Sequence, residues 1–84
     1  MKEYVYKTNG TCSRQIHFSI DDEGKVHDVK YVGGCNGNLQ GVGRLVEGMD
    51  AKEVIDRLDG IKCGFKATSC PDQLSKALKE AVGE

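Results

Sequence analysis

The stretch Gln15–Gly34, QIHFSIDDEGKVHDVKYVGG, contains the pattern that decides the fold. Its first six residues alternate, with Ile16, Phe18 and Ile20 on one face and polar side chains on the other, which is the period of a half-buried strand. The segment DDEGK follows, with glycine at its fourth position, and is typical of a tight turn. The apolar segment VHDVKYVGG then returns as the second arm. The sequence therefore predicts a β-hairpin.

A further strand is predicted before the hairpin, and helices are predicted after it. Glu3–Lys7, EYVYK, alternates with period two and is rich in aromatic and β-branched residues, as strands are. From Asn38 onward the period becomes helical, and Gly48 followed by Asp50 marks a stop and a new N-cap. Gly60 closes the second helix. The apolar stripes of the three helices comprise Leu39, Val42, Val46 and Met49; Val54, Ile55 and Leu58; and Leu74, Ala77, Leu78, Ala81 and Val82.

This order of elements predicts one α+β domain over residues 1–84, a three-stranded antiparallel meander with one face covered by three C-terminal helices. A chain of 84 residues builds a marginal core and often needs a metal, a disulfide or a partner subunit. The Leu/Ala stripe of the last helix belongs to that core, and it can also extend into a homodimer interface.

Charge and hydropathy exclude several classes of function. Twelve basic and thirteen acidic residues are interspersed and give a net charge of −1, so no basic surface for nucleic acid is expected. No segment has the roughly 20 apolar residues of a membrane span, and the N-terminus lacks the apolar core of a signal peptide. We expect a cytoplasmic protein with no nucleic-acid and no membrane partner.

Four cysteines lie at junctions between the predicted elements: Cys12, Cys35, Cys63 and Cys70. In a reducing compartment such residues indicate metal binding or redox chemistry more often than a permanent disulfide. The gaps between them are 22, 27 and 6 residues, without a C-x-x-C pair, so spacing alone does not define the site. A shared zinc site, a redox pair and unconnected buried thiols all remain open.

The stretch FKATSCPDQL places Cys70 at the start of the last helix. Proline is favoured at the first helical position, which makes Cys70 the N-cap and Pro71 the first helical residue. A shift by one residue makes Ser69 the cap, with Asp72 as its capping-box partner. Either register leaves Cys70 at the positive end of a helix, where the pKa of a thiol falls and thiolate chemistry of both kinds is favoured.

Other candidate groups have ordinary structural explanations. His17 and His27 are expected at the surface rather than at a metal, and Asp72 is expected at a helix start rather than in catalysis. The segment GGCNGNLQGVG matches neither of the phosphate-binding glycine motifs. Its glycines, together with Gly64, are expected to form turns and to let the backbone approach the cysteines closely.

The run Thr68–Asp72, TSCPD, with GGCNGNLQGV and four dispersed cysteines, resembles the TSCPD domain family, in particular its small stand-alone members. The resemblance extends over essentially the whole chain. It implies that Cys12, Cys35, Cys63 and Cys70 are metal ligands, with zinc or iron as the metal, since thiolate sites accept both.

A similar domain lies near the C-terminus of the cobalamin-dependent ribonucleoside-diphosphate reductases, and homologues of this length often carry that enzyme's label. Ribonucleotide reduction requires a large barrel, a radical generator and nucleotide pockets, which 84 residues cannot enclose. The resemblance therefore implies a metal-binding accessory or interaction module, not catalytic alone, with a protein partner such as a reductase of nucleotide metabolism. The alternative is a thiol redox module in which Cys70, most naturally with Cys63, passes electrons to a reductase.

Overall fold

The computed structural model describes residues 1–34 and 36–83. It contains a three-stranded antiparallel sheet in the order β1-β2-β3, followed in the chain by three helices. This confirms the predicted α+β fold. The elements are β1 (Lys2–Lys7), β2 (Ser13–Ile20), β3 (Val26–Gly33), α1 (Asn36–Val46), α2 (Ala51–Leu58) and α3 (Cys70–Val82).

The hydrophobic core lies between the sheet and the helices. Ile16 and Phe18 of β2 point into it as their alternation predicts, and the ring of Phe18 stacks on Tyr4 with centroids 5.2 Å apart. Leu74 and Leu78 of α3 are fully buried against them. Within the described ranges, no helix is long and apolar enough to cross a bilayer.

The turn between β2 and β3 is organised by Asp21. Its Oδ1 accepts hydrogen bonds from the backbone N–H groups of Glu23 and Lys25, at 2.9 and 3.0 Å. Gly24 has φ of +81°, a conformation that glycine adopts without steric cost. The predicted hairpin and the position of its glycine are therefore both confirmed.

The bounds of α2 follow the predicted signals, whereas α1 begins at Asn36 instead of Asn38 and ends at Val46, so that Met49 of the predicted stripe lies in the turn after it. Asp50 is the N-cap of α2, and its Oδ1 accepts from Lys52 N at 3.1 Å. Gly60 follows α2 with φ of +85°, as a C′ glycine does. The chain after α1 returns to the sheet, where Val26 N–H donates to Met49 O at 2.8 Å and Gly48 N–H donates to Val26 O at 2.7 Å.

Helix α1 approaches β3 closely at a single glycine. A Cβ placed on Gly43 would lie 2.6 Å from Val29 O, whereas a Cβ on Gly41, on the exposed side of the same helix, would meet nothing within 4 Å. The contact distance between helix and strand is therefore set by the missing side chain at position 43.

Gly43→Ala is expected to destabilise the fold by about 1–3 kcal/mol, because the added methyl group overlaps a backbone oxygen. Gly41→Ala is the matched control, and it is expected to stabilise the fold by roughly 0.5–1 kcal/mol through helix propensity. Urea unfolding followed by circular dichroism measures both values. Equal effects of the two substitutions would contradict the close approach.

His27 joins the hairpin to the end of α1 through two carboxylates. Its Nε2 lies 2.7 Å from Asp21 Oδ2, and its Nδ1 lies 2.5 Å from Glu47 Oε2.

The hydrogen bonds to Asp21 and then to Glu47 raise the pKa of His27 above its ordinary 6.5. The bond from His27, then that from Lys25 N–H, lowers the pKa of Asp21 to about 2. The pKa of Glu47 is lowered first by Asp28 N–H and then by His27. The prediction of a surface histidine outside a metal site is compatible with this ion-pair role.

His27→Gln is expected to flatten the pH dependence of stability. The raised pKa means that the His27 contribution is fully present below pH 6.5 and is lost as the pH rises through the folded-state value. The two carboxylates contribute above their ordinary values of 3.8 and 4.5, and their contribution is lost as the pH falls. The wild type should therefore lose stability as the pH is raised above 6.5, and His27→Gln should not.

The exposed His17 supplies the control, because its only described side-chain bond is to Gln15. The pH profile of His17→Gln, measured by urea unfolding, should keep the wild-type slope. If His27→Gln keeps the wild-type slope, the contacts of His27 with Asp21 and Glu47 do not contribute to the pH dependence of stability.

Candidate metal centre

The start of α3 is fixed by Ser69. Its Oγ accepts from Asp72 N at 3.1 Å, as an N-cap does, and donates to Ile61 O at 2.6 Å. Pro71 occupies the first turn. The predicted register with Cys70 as N-cap is therefore wrong and the alternative with Ser69 is correct, because a hydroxyl accepts a backbone hydrogen bond better than a thiol does. Cys70 is the first helical residue, with 8% of its surface exposed.

Asp72 connects the start of α3 to the end of α2. Its Oδ1 accepts from Gly60 N at 2.7 Å, and its Oδ2 accepts from the hydroxyl of Thr68 and lies 3.5 Å from Lys76 Nζ. Burial raises the pKa of this carboxyl, but the bonds from Thr68 and Gly60 and the charge of Lys76 outweigh it and hold the pKa below its usual range. The capping box is incomplete, because the Asp72 carboxylate bonds to these groups instead of to Ser69 N.

The same network reaches the loop between β1 and β2. Gln73 Nε2 donates to Thr68 Oγ1 at 3.0 Å, and Gln73 Oε1 accepts from Asn9 N at 3.0 Å. A Cβ on Gly10 would lie 3.2 Å from the Thr68 methyl group. These contacts hold the loop that carries Cys12 against the start of α3.

Cys12 and Cys70 are brought together by this packing, 58 residues apart in sequence, with their Sγ atoms 4.0 Å apart. The distance is too long for a disulfide, which needs about 2.05 Å between the sulfurs. Two sulfurs about 2.3 Å from one tetrahedral metal ion are about 3.8 Å apart. The two thiols therefore fit one edge of a tetrahedral thiolate site.

The Cys70 sulfur lies next to a pair of hydroxyl groups. Ser13 Oγ lies 3.1 Å from Cys70 Sγ, and Thr11 Oγ1 lies 3.1 Å from Ser13 Oγ. Burial raises the pKa of the Cys70 thiol, but hydrogen bonds from the Ser13 hydroxyl and backbone N–H, then from Thr11 and Cys12, outweigh it and lower the pKa below its usual value. This environment favours the thiolate, the form that binds metals and attacks disulfides.

The turn after β3 touches the same place. Gly33 and Gly34 have φ of +82° and +81°, and a Cβ on Gly34 would lie 3.2 Å from Cys12 Sγ. The expected close approach of backbone to cysteine is thus confirmed at Gly34, whereas Gly37 and Gly64 face open space. Cys35, the predicted ligand that follows directly, lies outside the described residues.

Cys63 is exposed in the loop between α2 and α3. Its N–H donates to Thr68 O at 3.2 Å, and its carbonyl accepts from Lys66 N at 3.0 Å, so the loop folds back to within two residues of Cys70. Across residues 1–34 and 36–83, no three His, Cys, Asp or Glu side chains are grouped to hold a metal ion. The assignment of four ligands therefore stays a prediction.

Three polar residues of this centre were not predicted from the sequence. Thr11 and Ser13 flank Cys12 directly, so hydroxyl neighbours on both sides of a cysteine were the available signal. Tyr31 donates from its hydroxyl to Cys70 O at 2.9 Å. Burial, and secondarily the charge on Cys70, raises the pKa of Tyr31, so Tyr31 remains a donor, and no local sequence signal indicates this contact.

The fold and the thiol pair define a small α+β domain with paired thiols at a helix start. A family model described as TSCPD domain matches residues 2–82. The chain belongs to the TSCPD domain family, as its resemblance implied. Comparison with curated proteins and with solved structures finds no match.

Asp72→Asn is expected to destabilise the fold by about 1–3 kcal/mol, because an amide cannot accept from both Gly60 and Thr68 and loses the attraction of Lys76. Asp56→Asn, an exposed carboxyl on α2, is the control and should change stability by less than about 0.5 kcal/mol. Urea unfolding measures both. A small effect at Asp72 would mean that the network does not hold the helix start.

Proposed function

We propose that this domain binds one zinc ion through the thiolates of Cys12 and Cys70, together with Cys35 and Cys63. The observation that carries the proposal is the 4.0 Å separation of the Cys12 and Cys70 sulfurs, which fits two ligands of one tetrahedral ion. Gly34 lies against Cys12 Sγ, which brings the chain before Cys35 to the same place. Iron is the second metal that such thiolates accept.

The protein groups around the sulfurs prepare them for a cation. The Ser13 hydroxyl lies 3.1 Å from the Cys70 sulfur, and the Thr11 hydroxyl lies beside that of Ser13; donation from Ser13 to the thiolate orients the sulfur and stabilises its negative charge. Tyr31 and the α3 N-terminus fix the backbone of Cys70. The ion, when bound, supplies a cross-link between chain segments, and in small domains such a link contributes about 10–16 kcal/mol of apparent binding free energy.

The role of the folded domain is that of an accessory or interaction module with a protein partner, a reductase of nucleotide metabolism, and it does not perform catalysis alone. The support for this partner is membership of the TSCPD domain family, through the resemblance to the C-terminal domain of cobalamin-dependent ribonucleoside-diphosphate reductases. A chain of 84 residues cannot enclose the barrel, the radical generator and the nucleotide pockets of that reaction, so the reaction itself belongs to the partner.

The second candidate function is thiol redox chemistry. The geometry favours Cys12 as the partner of Cys70 instead of Cys63, which the sequence favoured. Cys70 faces Cys12 with the sulfurs 4.0 Å apart, and within residues 1–34 and 36–83 no hydrogen-bond contact joins the sulfurs of Cys70 and Cys63. In this function the Cys70 thiolate attacks a disulfide such as glutathione disulfide, which is the oxidant. Cys12 then resolves the mixed disulfide, and the glutathione leaves as two thiols that carry both electrons and both protons.

Titration of metal-free protein with Co²⁺ tests the first function, since thiolate–cobalt charge-transfer absorption reports the ligands. We expect saturation at one equivalent and a loss of at least about 100-fold in affinity for Cys12→Ser and Cys70→Ser. Ser13→Ala should cost about 10-fold as a hydrogen-bond partner of the ligand. Ser19→Ala, at a serine buried to a similar extent on the same strand, is the control.

Elemental analysis of the native protein and the mass after oxidation separate the two functions. Less than about half an equivalent of metal, with a fold that survives chelation, would overturn the zinc site. Loss of two hydrogens on treatment with glutathione disulfide, abolished by Cys12→Ser but kept in Cys63→Ser, would support the redox pair.

A further inference from the structure

The two edges of the sheet are treated differently. At β3 the edge is covered: both backbone groups of Val26 bond to the turn after α1. The N–H of Asp28 donates to Glu47 Oε1 at 2.9 Å, and α1 lies against the carbonyl of Val29 at Gly43. The register between β2 and β3 is also interrupted by irregularities. Such features prevent another strand from pairing with an edge.

The edge at β1 has none of this protection. Its register with β2 runs without a break from Lys2↔Ile20 to Lys7↔Gln15, and it contains no proline. Among the described residues, no backbone hydrogen bond joins β1 to anything except its own neighbour β2. Val5, at the centre of the strand, has 62% of its surface exposed. Regular edges that nothing covers are able to pair with further strands.

The residues of β1 are complementary to a second copy in one antiparallel register. A two-fold axis at Val5 pairs Val5 with itself, Tyr4 with Tyr6, and Glu3 with Lys7. Both Glu3–Lys7 pairs are then of opposite charge on the outer face, and both tyrosine pairs lie on the core face. With the axis at Tyr4 or at Tyr6, outer-face residues still pair with outer-face residues, but Glu3 no longer pairs with Lys7. A shift of one copy by one residue would pair core-face residues of one copy with outer-face residues of the other.

The core side of the edge offers a surface for the same contact. A groove lined by Tyr4, Tyr6, Ala77 and Ala81 runs between β1 and α3. The tyrosines are half-buried and the alanines are small, so the aromatic side chains of a second copy can pack there. This is the face on which the Leu/Ala stripe of α3 was expected to extend into a homodimer interface.

We propose that the domain forms a two-fold symmetric dimer in which β1 pairs antiparallel with β1 of a second copy, centred on Val5, to give a continuous six-stranded sheet. Each copy contributes the same surface, as two-fold contacts require. The interaction does not depend on a bound metal and goes beyond the proposed function.

Sedimentation velocity over a range of concentrations tests the dimer. Wild-type protein is expected to approach twice the 9.2 kDa mass of one chain. Glu3→Lys and Lys7→Glu each set two pairs of like charges opposite one another, and each should weaken dimerisation about tenfold or more. The double substitution restores opposite charges and should recover affinity to within about threefold of wild type.

Lys52→Glu is the matched control, since it reverses an exposed charge on α2, outside β1 and the groove beside it, and it should leave dimerisation unchanged. Val5→Lys sets two lysines on the axis and should give a folded monomer by circular dichroism. A monomeric wild type at every concentration would overturn the proposal. A dimer that Glu3→Lys and Lys7→Glu do not weaken, or that the double substitution does not rescue, would overturn the β1 register.

Discussion

The packing of the β1–β2 loop against the start of α3 is the contact on which the proposed metal centre depends. This contact is polar, since Ser13, Ser69, Asp72 and Gln73 are all almost fully buried there. Hydrophobic burial alone cannot specify this contact, because apolar side chains can pack in several arrangements as long as the total volume is filled. A hydrogen-bond network does specify it, since each donor or acceptor left without a partner costs about 1–3 kcal/mol. Within the described residues, no buried side-chain polar atom lacks a partner. The position of Cys12 opposite Cys70 is therefore fixed by the protein itself.

Four of the five residues of the family motif build the start of α3, and the side chain of the fifth, Cys70, takes no part in this. Thr68 and Asp72 clamp α3 to the end of α2, Ser69 caps the helix and holds Ile61, and Pro71 takes the position where no N–H is needed. Cys70 alone has a side chain that stabilises none of these elements; it points instead to Ser13 and Cys12. A motif of this composition is expected when a thiol has to be held in a defined place with a lowered pKa.

The fold was predictable from the sequence because its elements are amphipathic and are bounded by strong local signals, such as Asp50 and Gly60 at the two ends of α2. The site was predictable in part. Cys12 is the cysteine farthest from Cys70 in the sequence, yet it faces Cys70, because the partner of a residue in a sheet-and-helix fold is set by topology and not by sequence distance. Cys63 was the natural partner for Cys70 by proximity in sequence, but in the described part of the chain the sulfur that lies 4.0 Å from Cys70 is that of Cys12. The hydroxyl of Tyr31, a residue of β3, donates to Cys70 O, and no local sequence pattern indicates this contact.

The proposed dimer and the proposed metal centre occupy different parts of the domain, and their geometry makes them independent. Each thiol pair lies beyond the Lys7 end of β1, where the loop with Cys12 begins. Antiparallel pairing about Val5 places the two Lys7 residues at opposite ends of the paired strands, roughly 13–14 Å apart, because each lies two residues from the axis. Two sulfur clusters at that separation cannot share an ion, whose ligands must lie about 2.3 Å away. Each copy must therefore complete its own site, and dimerisation acts by covering the exposed edge of a small domain.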